Sequence, residues 1–172
     1  SIHDAAELLI YPLYPNDGND SERVYVKQLI QKYVGKGNKK QLFDIFSTDL
    51  IESVILVGSA SRGELSFIEK DSLLVRSDIE FYVVTEDINE VRSKIGPKIR
   101  DVELKYNSIW PEFHIDISYL TSYQFRNLKP WIRHYELIEN GKIFFGSNII
   151  SALPRVTVKN LDYCELNEIA LW

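Results

Sequence analysis

The sequence predicts an α+β domain in which helices flank a mixed β-sheet, and three observations predict it. Short apolar runs of strand length are separated by longer stretches of helical periodicity. One run, Val54 to Val57, is continuously apolar, as in a buried strand, whereas His114 to Tyr119 alternates strictly. The 172 residues are 45% hydrophobic and 26% charged and include 10 Tyr, 8 Phe and 3 Trp, which is material for a core and excludes a disordered, collagenous or coiled-coil chain.

Taken in order, Asp4 caps a short helix to Ile10, and the breaker-rich stretch from Tyr11 to Gly18 ends it. Ser21 caps a second helix on which Val26, Leu29, Ile30, Tyr33 and Val34 recur at helical spacing until Gly35 and Gly37 stop it. Leu42, Phe43, Ile45 and Phe46 predict one more short helix before the strand Val54 to Val57, which runs directly into Gly58-Ser59. Leu65 to Arg76 reads as a hairpin turning around Glu69-Lys70-Asp71-Ser72, and Asp78 to Val84 as a second core strand. Ile88, Val91 and Ile95 mark a helix that Gly96-Pro97 is expected to interrupt, with Ile99, Val102 and Leu104 continuing it. After the strand His114 to Tyr119 come a helical stretch around Trp131 to Ile138, a turn at Asn140-Gly141, and a strand Lys142 to Phe145 ending at Gly146. Asn160 caps a last helix carrying Leu161, Cys164, Ile169 and Ala170. These elements divide into an N-terminal helical segment over 1–50, a core over 51–158, and the start of a further helical domain over 159–172. Together with the absence of any Met, the helical pattern still running at Trp172 suggests part of a larger protein.

Charge and cysteine usage narrow the partners. Twenty basic residues against 25 acidic ones leave a net charge of −5, and Lys32, Lys36, Lys39 and Lys40 read as a solvated helix end, so a nucleic-acid partner is not expected. No apolar stretch approaches the ~18 residues of a membrane span, so no membrane partner is expected. No secretory signal opens the chain, and its single cysteine, Cys164, cannot form an internal disulfide; both fit the cytoplasm.

Familiar signatures fail. Gly35-Lys36-Gly37 lacks a third glycine and follows a helix, and no Walker loop exists. His3, His114 and His134 have no metal-site spacing, and Gly58 to Gly63 is one residue too long for a nucleophile elbow. An acidic constellation beside a glycine-serine turn remains. Asp78 and Glu80, two apart on a strand, face the same side with Cα atoms roughly 6–7 Å apart. Asp116, between Ile115 and Ile117, faces away from what those isoleucines bury. Three carboxylates on apolar strands are costly without counter-charge, and hard cations such as Mg²⁺ make such a set tolerable. A strand ending in Gly58-Ser59 offers N–H groups and a hydroxyl to phosphate oxygens, and Arg62 can reach the same phosphates or form an ordinary surface ion pair. His114 and Ser118 share the face of Asp116. Trp110 and Trp131 suit either packing or stacking on a base.

The segments Val57-Gly58-Ser59-Ala60-Ser61-Arg62-Gly63-Glu64, Ser77-Asp78-Ile79-Glu80 and Ile115-Asp116-Ile117 resemble the nucleotidyltransferase superfamily typified by DNA polymerase beta and kanamycin nucleotidyltransferase. The resemblance covers about Val54 to Tyr119, with weaker support from Gly141 to Gly146. It implies a nucleotidyltransferase-like fold and metal-dependent transfer of a nucleoside monophosphate from a nucleoside triphosphate to a hydroxyl, with pyrophosphate released. Asp78, Glu80 and Asp116 would be catalytic and hold two Mg²⁺ ions, or Mn²⁺, while Gly58, Ser59 and Arg62 would hold the triphosphate. The acceptor expected is a hydroxylated small molecule such as a sugar or aminoglycoside; an antitoxin-type nucleotidyltransferase acting on a protein partner, or a nucleotide-sensing module without turnover, is the alternative. The interval from Arg62 to Asp78 is longer than in minimal members, and its hairpin either shapes the acceptor pocket or decorates the surface.

Overall fold

A computed structural model describes residues 41–62, 67–69, 73–75, 78–107, 112, 114–129, 132–156 and 159. The helices expected before residue 41 and from Asn160 onward lie outside the described residues, as do Lys32 to Lys40, Trp110, Trp131 and Cys164.

Helix α1 (Gln41–Phe46) leads to β1 (Ser53–Val57), whose Val54, Ile55 and Leu56 are at most 3% exposed. Such a strand must be covered on both faces and flanked on both edges, which accounts for its unbroken apolar run. It pairs antiparallel with β4 (Ile79–Val84) on one side and with β6 (Lys142–Gly146) on the other. Strand β5 (Ile115–Leu120) lies parallel to β4, so the mixed four-stranded sheet has the order β5-β4-β1-β6. The hairpin expected from sequence is present as a separate pair, β2 (Phe67–Glu69) and β3 (Leu73–Val75), in which Ile68 lies opposite Leu74 and Glu69, expected in the turn, lies opposite Leu73.

The parallel step from β4 to β5 requires a crossover, supplied by α3 (Ile88–Asn107); the short α2 (Gly58–Ser61) follows β1 directly. The expected interruption at Gly96-Pro97 does not occur: α3 runs unbroken through Pro97. Proline in a helix interior costs roughly 3 kcal/mol. Val91, Ile95, Ile99 and Val102 form one continuous buried stripe through it, each worth about 1.5–3 kcal/mol on burial. Tertiary burial on both sides of Pro97 outweighs the local defect.

Helix α4 (Ser122–Arg126) is short and held by a capping box, Thr121 Oγ1 accepting from the Gln124 N–H at 3.1 Å while Gln124 Oε1 accepts from the Thr121 N–H at 2.9 Å. Helix α5 (Ile132–Asn140) and a 3₁₀ turn (Ile150–Ala152) complete the described chain.

Residues alternate across the sheet, so the layers divide its core in two. On one side Phe81 of β4, Phe144 of β6 and Phe46 of α1 stack edge to face, with centroids 5.2 to 5.8 Å apart, and α3 extends that layer. On the other side Ile55, Val84, Phe125, Leu137, Ile149 and Leu153 form the cluster under α4, α5 and the 3₁₀ turn. Among the described residues no helix is long and apolar enough to cross a membrane.

Candidate functional site

The second face is not apolar throughout. Where β1 ends and β4 and β5 begin, the sheet register sets Val57 opposite Glu80 and Glu80 opposite Asp116, so three adjacent strands present one row. The row opens into a cavity of about 390 Å³ between the sheet, α2 and α5.

Gly58 is the hinge of this site. Its φ of +71° is a left-handed conformation that favours glycine, and a Cβ there would run into the Glu80 carboxylate. The turn is braced from within, Ser61 Oγ donating to the Gly58 carbonyl at 2.8 Å and the Arg62 N–H to the Ser59 carbonyl at 3.2 Å. Arg62 crosses the cavity to Glu136 of α5, Nη1 to Oε2 at 2.6 Å. It is therefore both a cavity residue and one half of an ion pair.

Of the residues expected from sequence, Gly58, Ser59, Arg62, Glu80 and Asp116 line this one cavity. Asp78, just before β4, is exposed and not among the lining residues, although its charge reaches Glu80. Ser118 lines the cavity as its shared face with Asp116 predicts, whereas His114 is turned to Glu103 of α3, Nδ1 to Oε1 at 2.8 Å.

The electrostatics are those of a site held at a cost. Burial pushes the Glu80 carboxyl above its ordinary range; the Asp116 charge adds to this and Asp78 adds less, while Arg133 and Arg62 pull the other way. Burial also raises the Tyr82 phenol, with Arg133 opposing and Glu80 and Asp116 reinforcing. Oxygen donors of this type suit a hard divalent cation, and the repulsion on Glu80 is what a cation relieves. As the side chains stand, however, no three His, Cys, Asp or Glu among the described residues form a group able to hold a metal ion. Glu80 and Asp116 sit opposite one another in register and line the cavity, and Asp78 stays outside it.

Sequence reasoning missed the wall opposite the acids. Arg133, Glu136 and Leu137 of α5 line the cavity, and Tyr82 lies beside Glu80 on its floor. Their spacing of three and four places them on one helix face, a stripe visible in the sequence. What the sequence lacks is the direction in which that face looks.

No protein-family model matches the sequence, and no curated protein matches it significantly. Among solved structures, one similar chain belongs to a crystal structure of a toxin-antitoxin with AMP-PNP. It is 14% identical, with a TM-score of 0.38, over 78% of this chain and 86% of that one.

Proposed function

We propose that this protein transfers a nucleoside monophosphate from a nucleoside triphosphate to a hydroxyl of a small molecule, releasing pyrophosphate. The observation that carries the reading is the packing of the Glu80 carboxylate on the positive-φ turn at Gly58, with Asp116 beside it in register. A glycine turn suited to close approach by phosphate and a carboxylate pair suited to the reacting centre share one cavity.

The chemistry is in-line substitution at the α-phosphorus. The acceptor oxygen forms a bond to phosphorus, the bond to the β-phosphate bridging oxygen breaks, and pyrophosphate leaves. Asp116, exposed at the cavity, takes the acceptor proton. Arg133 and Arg62 offset the triphosphate charge, and Ser59 and the Gly58 turn hold its oxygens. Tyr82 and Leu137 offer apolar surface to the rest of the ligand. A divalent cation on Glu80 and Asp116, which Asp78 would join only by turning toward the cavity, would neutralise phosphate charge when bound.

Because the three acids do not close into one group, a second reading is retained: a module that binds nucleotide without turnover. A protein hydroxyl is the other acceptor to be tried. Calorimetry with several nucleoside triphosphates, with and without Mg²⁺, on wild type and on Asp78→Ala with Glu80→Ala, tests the binding site. Binding that needs Mg²⁺ and the acids supports the proposal; metal-dependent binding that survives loss of both acids contradicts the metal assignment. Pyrophosphate release across sugars, aminoglycosides and proteins separates transfer from binding alone.

A further inference from the structure

A carboxylate behind the site fixes its spacing. Glu103 of α3 is 6% exposed and not among the cavity-lining residues, yet its Oε1 accepts the Ile115 N–H at 2.8 Å and meets His114 Nδ1 at 2.8 Å. Its Oε2 lies 3.7 Å from Arg100 Nη1. A buried carboxylate with this many partners is expensive to keep and strongly directional once kept. The backbone it grips is that of the site. His114 and Ile115 immediately precede Asp116, and the His114 carbonyl accepts the N–H of Ile79 at 3.0 Å, the residue between Asp78 and Glu80.

We propose that Glu103 is a positioning residue for the acid pair: by clamping His114 and Ile115 it locks the start of β5 against β4 and sets the separation of Asp116 from Glu80. It touches neither acid and acts through the backbone that carries them. Its effect on turnover rests on the nucleotidyl-transfer reading; its effect on the strand start does not.

The test compares the full chain with Glu103→Leu, Glu103→Gln and Glu103→Asp. The Gln amide oxygen keeps two lone pairs for the same two donors, Leu keeps none, and Asp withdraws the carboxylate by one methylene. In Glu103→Leu, amide hydrogen exchange at Ile79 and Asp116 is expected to accelerate about tenfold while Ile55 and Leu56 keep their rates. Glu103→Gln is expected to match wild type. Turnover should follow: kcat falls about 10- to 100-fold in Glu103→Leu with KM for the triphosphate unchanged, and Glu103→Gln restores it. Should Glu103→Leu not fold, Glu103→Asp reads the same two signals. Exchange that rises uniformly across the sheet, or a Gln variant as damaged as Leu, overturns the proposal. If wild type shows no turnover, the transfer reading fails, and the exchange pattern alone decides the role of Glu103.

Discussion

Strand β4 faces two environments, and its neighbouring residues belong to different worlds. Phe81 is 2% exposed and locked between Phe46 and Phe144, each 5.2 Å away. Glu80, one residue earlier, looks into a polar cavity where burial and two other acids oppose its charge. On the aromatic face every contact supports the next; on the cavity face the carboxylates work against one another. Folding alone accounts for the first arrangement; the second costs stability and is what the proposed transfer reaction would use.

The contrast is broken first on the aromatic side. Phe81→Ala is expected to cost about 3–5 kcal/mol in urea unfolding, because it empties a site filled by interlocked rings. Next, Asp116→Asn should leave the unfolding curve nearly unchanged and lower nucleotidyl transfer about 10²- to 10³-fold, measured as pyrophosphate release. Glu80→Gln should show the opposite pull most clearly, with transfer lost and thermal stability raised, since a neutral amide replaces a charge that burial and Asp116 disfavour. Arg133→Ala should weaken triphosphate binding about tenfold in calorimetry with kcat little changed, as expected for a cation that offsets phosphate charge.

A smaller effect is expected in the dependence on pH. The Glu80 carboxyl lies above its usual 4.5, so acidification protonates it earlier than an ordinary glutamate and kcat/KM should begin to fall at correspondingly higher pH. Asp78→Asn removes one of the charges that raise it, so the acid limb should move to lower pH. For stability the sign reverses: the folded state takes up the proton first, so Glu80 favours folding increasingly as pH falls from above its raised value to 4.5.

Much of the fold was legible because hydrophobic period reports burial directly. Val54 to Val57, Asp78 to Val84 and Lys142 to Phe145 read as strands and are strands within a residue at each end. The candidate acids were legible for the converse reason, as charges placed where an apolar pattern has no use for them. Pro97 misleads because the local backbone rule takes no account of the buried stripe that overrides it. Helix α4 escaped because five residues carry too little periodicity, although Thr121 and Gln124 spelled its capping box. Arg133 and Glu136 could be placed on one helix face but not aimed. The Glu103 clamp joins residues 12 apart through space, and nothing in sequence order reveals it.

On the proposed reading, the acid pair on the Gly58 turn performs phosphoryl chemistry and does more than bind. Following a radiolabel on the α-phosphorus of a nucleoside triphosphate, with Mg²⁺ and a panel of hydroxylated acceptors, tests it most directly. Label is expected in an acceptor with wild type and none with Asp116→Asn or Glu80→Gln. Label that never leaves the nucleotide in wild type, or that transfers equally well in both variants, would contradict it.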